Sequence, residues 1–438
     1  MRKILLATAA GFAAFVADGV APAKAQAPAP AATPQPGITV AIRGYQRFHY
    51  ANVSQKNRQS GAFDLDDNNQ PTRLATLDKN DFNSRGQIQV LATGRTADGL
   101  IYGADLVLNI DGNRPPADIL GGRSAISNRA VEWDEMYTFV ALPSLGRLEF
   151  GDQDGAVSQL RVISAIEGFG SGGVNGDLGS FATTRPVFFE SGQLGLDDAT
   201  KIIYLSPQFF GFDFGASFAW NLGDGRRNCG TLSTACQTLK STNENINRAR
   251  NIFDFALRYR GTLGPVAFAA NGGVTLGSAV DIIGAADYKA PRVYNIGATA
   301  TFAGFTVGAE YLWGRINFGG MTGLLRQNQP DADGARQYFI GATYTFGPFV
   351  VGAHYYNLKT EGSQTNPADR TDEGFAFGGR YTLAPGLQLV AEYVEMKARE
   401  RGNNSLAGRL VDNNGNTVIA FGDRIRASMV LAGIRMAF

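Results

Sequence analysis

A chain of 438 residues with 44% hydrophobic and 18% charged side chains can bury a large core or a large interface, and by length alone holds one to three domains. Its 40 basic and 39 acidic residues exclude the strongly basic surface that a nucleic-acid binder needs. Its 55 glycines and 29 phenylalanines suit short extended segments joined by turns better than long helices.

The chain opens with a basic tip, Arg2 and Lys3, then an apolar run from Ile4 to Val16 and a small-residue site at Ala23-Lys24-Ala25. That layout marks residues 1–25 as a cleaved export signal. The apolar run is shorter than the about 20 residues a membrane-spanning helix requires. Cleavage leaves 37 basic against 38 acidic groups, a nearly neutral chain. Residues 26–37 include APAPAATPQPG, too rich in proline and alanine to pair or pack, and read as an extended periplasmic leader. Beyond Gln26 no apolar run is long enough for a spanning helix.

Strand pattern begins at Ile38, where Ile38, Val40 and Ile42 alternate with Thr39, Ala41 and Arg43. One unit then recurs: an alternating run, a tight turn, a second alternating run, a long polar stretch. The turns fall at Asp98-Gly99, Pro143-Ser144, near Pro207, at Gly264-Pro265, Ala303-Gly304, Gly347-Pro348 and Pro385-Gly386. These seven hairpins, the opening run and the closing SMVLAGIRMAF make about sixteen strands. Tight turns on one rim and long loops on the other are the signature of an all-β transmembrane antiparallel barrel, here residues 38–438, with short periplasmic turns and long external loops.

The faces agree with that reading. Tyr338, Ile340, Ala342, Tyr344 and Phe346 suit lipid, while Phe339, Gly341, Thr343 and Thr345, mostly small and polar, alternate with them. Aromatics gather near strand ends, as at Tyr311 with Trp313 and Phe302 with Phe305, where interfacial girdles are expected. A soluble β-sandwich also alternates, but it has no use for an inner face carrying Glu310, His354, Arg380 and Glu392 in mid-strand. Lipid cannot satisfy an open sheet edge, so the closing strand should pair with the first.

The longest stretch without strand pattern, residues 155–201, follows the fifth strand. It carries Glu167, Asp177, Glu190, Asp197 and Asp198 against Arg161, Arg185 and Lys201. Strand parity aims Arg43, Arg47, Arg85, Arg95, Arg258, Arg260 and Arg380 inward. Only nine basic residues are lysines, so most are permanently charged guanidinium forks. An arginine wall facing an acidic loop would set a field across the lumen that orients dipolar solutes and rejects apolar ones. Ordinary charge pairing that props the loop is the plainer alternative.

Cys229 and Cys236 lie close together in an exported chain and point to a local disulfide, with spacing unlike a CxxC redox pair. Gly168-Phe169-Gly170-Ser171-Gly172-Gly173 fits G-x-G-x-x-G but lacks a βαβ context, so it reads as a flexible bend. Asp64, Asp66 and Asn68 imitate the start of a calcium loop, yet Asn69 replaces its glycine and Ala75 its glutamate. The two histidines, His49 and His354, belong to no catalytic motif, and no enzyme activity, cofactor or metal is expected.

The runs LGRLEFGDQDGA and YTLAPGLQLVAEY, with the closing phenylalanine strand, resemble the alphaproteobacterial general porins of the Gram-negative outer membrane. The resemblance spans essentially the whole chain after the export signal. It implies a homotrimer passing ions and small hydrophilic solutes, with no nucleic acid among its partners. Residues 155–201 would be the third external loop, folded into the barrel as its constriction. Phe438 would be the signal read by the barrel assembly machinery, and Gly44 and Gly94 small outward positions at the subunit contact. A substrate-selective channel and a surface-binding adhesin or receptor using its loops are the competing readings.

Overall fold

The computed structural model describes residues 37–56, 63–65, 71–74, 78–111, 130–182, 186, 188–189, 199–221, 250–278, 290–315, 334–360, 369–400, 408–411, 417–421 and 424–438. Sixteen strands form one closed antiparallel barrel. Its first half is β1 (Ile38–Lys56), β2 (Asn80–Arg95), β3 (Ile101–Asp111), β4 (Ala130–Leu142), β5 (Gly146–Asp152), β6 (Thr200–Leu205), β7 (Phe212–Asn221) and β8 (Arg250–Leu263). Its second half is β9 (Val266–Ser278), β10 (Arg292–Phe302), β11 (Phe305–Arg315), β12 (Ala335–Phe346), β13 (Phe349–Thr360), β14 (Arg370–Ala384), β15 (Leu387–Glu400) and β16 (Arg424–Ala437). Two short hairpins, Phe63–Leu65 with Pro71–Leu74 and Gly408–Val411 with Thr417–Phe421, stand outside the barrel sheet.

The barrel closes where expected. β1 pairs with β16 from Tyr45 opposite Ala437 to Lys56 opposite Arg426. Gly44 and Phe438 continue the seam with reciprocal backbone hydrogen bonds of 3.0 Å. The Phe438 ring covers Gly44, and Gly94 is buried beneath the Tyr102 ring. Neither glycine is therefore the bare outward position that the sequence suggested for a subunit contact.

Period-two alternation produces the two faces. Ile38, Val40, Ile42, Phe48 and Tyr50 on β1 are exposed outward, while Tyr45, Arg47, His49, Ala51 and Val53 are buried within. At the rim of tight turns, rings stack around the outside: Phe305 on Tyr344 at 4.0 Å and Phe346 on Phe349 at 5.2 Å. Near the opposite rim Tyr294 stacks on Trp313 at 5.6 Å. Such girdles sit at the level of lipid headgroups.

Turn chemistry sets the register. Ala303 and Gly304 both have positive φ, 48° and 84°, the geometry of a tight hairpin turn matched to strand twist. The turn placed near Pro207 reverses farther on, at Phe210 and Gly211 with φ of 49° and 91°. β6 ends at Leu205 because Pro207 offers no N–H to the ladder. In the calcium-like run, Asp64 pairs opposite Arg73 in a hairpin, while Asp66 to Gln70 lie outside the described residues.

Candidate functional site, the barrel lumen and its infolded loop

The segment after β5 turns into the barrel and follows its inner wall. Short helical turns at Ala156–Gln159, Ile163–Ile166, Gly173–Asn175 and Leu178–Phe181 mark its course. On β9, β11, β12 and β13 it passes over an inward glycine. Val157 lies on Gly273, Ile163 on Gly308, Ile166 on Gly341 and Phe169 on Gly352. A Cβ at Gly308 or Gly341 would stand 3.0 Å or 2.9 Å from the isoleucine above it, closer than packed carbons tolerate. The result is an apolar seam inside a polar lumen, with Ile163, Ile166, Phe169 and Val174 fully buried.

Polar pins fix the loop along this rail. The Val162 N–H donates to Asn271 Oδ1 at 3.3 Å, and the Val174 N–H to His354 Nε2 at 3.0 Å. Because that ring nitrogen accepts, the neutral His354 carries its proton on Nδ1. Gln337 and Phe189 exchange two hydrogen bonds, of 2.9 and 2.6 Å. The strongest pin is Glu392 on β15. It accepts from the N–H groups of Ser171 at 2.7 Å and of Gly172 and Gly173 at 3.2 Å, and from the Ser171 hydroxyl.

That cradle is the G-x-G-x-x-G run. Gly170, Gly172 and Gly173 have φ of 52°, 126° and 63°, so successive N–H groups converge on one anion. The sequence suggested a flexible bend; the structure instead shows a backbone nest closed on a carboxylate of the barrel's own wall. A Cβ at Gly170 would overlap Glu392.

The predicted charges fall into three groups. Asp177 meets Arg47, and its other oxygen lies 2.9 Å from His49 Nδ1, all three being buried. Arg85 and Arg435 flank Arg47 in register, so three inward arginines stand side by side. Glu167 is bonded to Arg161 of its own loop at 3.0 and 3.2 Å, and Arg161 lies 3.6 Å from Glu310 on β11. Here the arginine is on the loop and the acid on the wall, the reverse of the expected arrangement. Glu190, Asp197, Asp198, Cys229 and Cys236 lie outside the described residues.

The other wall arginines are spread along the lumen. Arg258 donates from Nε to Asp213 at 3.1 Å, and Arg260 reaches the same carboxylate at 3.1 Å. Arg380 approaches the loop at Gly168, Arg43 is exposed in the lumen, and Arg95 stands beside the Thr96–Leu100 turn. Sequence reasoning missed Arg147, which bonds Glu149 at 2.6 Å and stacks over Phe139 at 3.7 Å, and Arg435, stacked over Tyr45 at 4.8 Å. Parity could have found both, since Arg147 alternates with the outward Leu148 and Phe150, and Arg435 with Ile434 and Met436.

The buried Asp177 gives a direct test. Asp177→Asn leaves Arg47 and Arg85 without their loop counter-charge, a loss on the order of 3–5 kcal/mol for a broken buried pair. The expected outcome is a reversal potential moved toward anions and a protease-sensitive loop. An unchanged reversal potential would count against a role for this pair in the lumen's field.

A closed barrel with an apolar outer band, a charged lumen and a loop folded into it defines a transmembrane channel. The sequence model of the Gram-negative porin family matches residues 5–401, and the chain belongs to that family. Among solved structures it is similar to a variant of the Rh. blastica porin, with a TM-score of 0.50 and 16% identity over 91% of this chain and 100% of that one. It is also similar to a loop-deletion form of OmpT from Vibrio cholerae, with a TM-score of 0.48 and 13% identity over 92% of this chain and 99% of that one. No curated protein sequence matched. The protein is an outer-membrane porin of the general diffusion kind.

Proposed function

We propose that the channel works as a homotrimer that passes small hydrophilic solutes and ions down their gradients, without catalysis, and favours anions. The carrying observation is an asymmetry of exposure within two of the lumen's ion pairs. Arg147 is 24% exposed against 3% for Glu149, and Arg260 40% against 7% for Asp213. In both pairs the acid sits behind and the guanidinium in front, so passing solutes meet positive charge there first. Arg43, Arg47, Arg85, Arg258, Arg260 and Arg380 form the proposed wall, and residues 155–201 the constriction.

Uncharged outward positions on β2 to β7 offer the face for subunit contact, and Phe438 the signal for the assembly machinery. Single-channel recording in a planar bilayer tests the reading. Stepwise conductance in threes is expected, with a salt-gradient reversal potential on the anion side. The double variant R147Q/R260Q should lower the anion-to-cation permeability ratio about twofold. Cation selectivity in the unaltered protein would overturn the anion preference, and insertion without conductance would overturn the open channel.

A further inference from the structure

A buried charge bonded to its opposite projects little field into the water beside it, whereas an exposed one acts on whatever passes. The loop and the wall of this lumen differ in that respect. Between Gln153 and Ala182 the charged residues are Asp154, Arg161, Glu167 and Asp177, and all four are buried. Glu167 closes on Arg161, and Asp177 on Arg47. The wall acids that meet this segment, Glu310 and Glu392, are buried as well.

In the same stretch Ser164, Ala165 and Gly179 are exposed, and Asn175 and Ser180 are half-buried. The segment lies inside a closed barrel, so its exposed side chains open onto the lumen. The face that a solute meets on this part of the loop is therefore small and uncharged. The wall is different: Arg43 is exposed, Arg147 and Arg260 stand in front of their acids, and Arg380 is half-buried near Gly168. Asp81, an exposed acid of inward parity, is on β2, the strand of Arg85, and so belongs to the wall and not to the loop.

Selection of dipoles needs both signs. A zwitterion aligned across a constriction lowers its energy when a guanidinium takes its carboxylate and an acid takes its ammonium. Here the loop offers a hydroxyl, a methyl group and bare backbone where that acid would stand. The carboxylate is attracted by the arginines, and the ammonium, a few bonds away, is repelled by the same groups. The two effects nearly cancel, because the screening length of about 8 Å in physiological salt exceeds the separation of the two ends. A monoanion keeps the whole attraction.

We propose that the infolded loop is a neutral counter-face, with Ser164 and Ala165 as specificity-determining positions, so that the channel sorts hydrophilic solutes by net charge and not by dipole. Hydroxylated carboxylate monoanions are favoured, while their amino-acid counterparts pass like uncharged polyols. The proposal rests on the reading of the lumen as an open channel that favours anions. It departs from the field between acidic loop and arginine wall that the sequence suggests, because Glu167 and Asp177 are closed on arginines and turned away from the solute path.

Tracer uptake into proteoliposomes holding the full chain tests this with solutes built on one carbon chain: gluconate, an anion; glucosaminate, its zwitterionic amino analogue; and glucitol, uncharged. Glucosaminate should enter at the rate of glucitol, and gluconate about threefold faster than either. Ser164→Asp puts an acid on the loop face. It should raise glucosaminate to about twice the rate of glucitol and reduce the lead of gluconate, whereas Ser164→Asn, of similar size and uncharged, should change neither. Glucosaminate faster than glucitol in the unaltered protein would overturn the proposal, and so would equal behaviour of the aspartate and asparagine variants. Gluconate against glucitol tests the anion preference separately: a slower gluconate would overturn that preference, while glucosaminate matching glucitol would still uphold the neutral loop face. Should Ser164→Asp fail to fold, Ala165→Asp is the same test at the adjacent exposed position, overturning the proposal if glucosaminate is not raised.

Discussion

Replacing Glu392 with alanine is expected to release the infolded loop while leaving the barrel closed. Three backbone N–H groups and one hydroxyl converge on this carboxylate, and truncation removes their acceptor at one stroke. Hydrogen bonds to a charged group contribute about 1.5–3 kcal/mol each, but lumen water will replace part of the loss. A net weakening of about 3 kcal/mol for the loop's attachment is the expected size. The sixteen-strand ladder does not pass through Glu392's side chain, so heat resistance of the barrel should change little. Single-channel recordings should show a higher and noisier conductance, and protease should cut near Phe169. Glu392→Gln keeps one acceptor oxygen and should fall between. A quiet, unchanged conductance in the alanine variant would show that the nest does not hold the constriction.

This arrangement suits a passive pore. A channel that neither binds tightly nor spends energy controls traffic by width and field alone, so its constriction must be stiff. Stiffness here comes from attachments on nearly every strand the loop crosses: Asn271, Glu310, Gln337, His354, Glu392 and Arg47 each hold one point of it. Glu149 and Asp213 are buried, which leaves Arg147 and Arg260 in front of them on the solute path. Structural pairing and the lumen's field are two consequences of the same side chains.

The fold was legible because barrel physics writes itself into period two. Ile38, Val40 and Ile42, the turn at Ala303-Gly304 and the alternation ending at Phe438 sufficed for strand number and closure. The polar residues that argued against a sandwich, Glu310, His354, Arg380 and Glu392, proved to be those facing the infolded loop. Which charge meets which was not legible. Glu167 lies six residues from Arg161 and pairs locally, whereas Asp177 reaches Arg47 across 130 positions, and alternation contains no information about either distance. The glycine-rich run was misleading for a similar reason: its conformational freedom was evident, but the anion it would close around lies on β15, 221 positions from Ser171.

The inward glycines offer the sharper test of the rail. Gly352 on β13 lies beneath the fully buried Phe169, and any Cβ there would overlap the ring. Gly352→Leu therefore cannot coexist with the observed loop path. Overpacking of a filled site costs about 1–3 kcal/mol when neighbours can shift; here the ring can escape only by leaving the wall. The expected result is a displaced loop, with altered conductance and an exposed Phe169 region. Gly272→Leu on the outward face of β9 is the matched control, since its first added carbon meets nothing nearer than a backbone oxygen at 3.8 Å. The two substitutions sit in the same kind of strand and differ in what lies above them. If both leave conductance and proteolysis unchanged, the loop does not rest on the glycines; if only Gly352→Leu acts, the inward glycines of β9, β11, β12 and β13 are what steers the constriction across the pore.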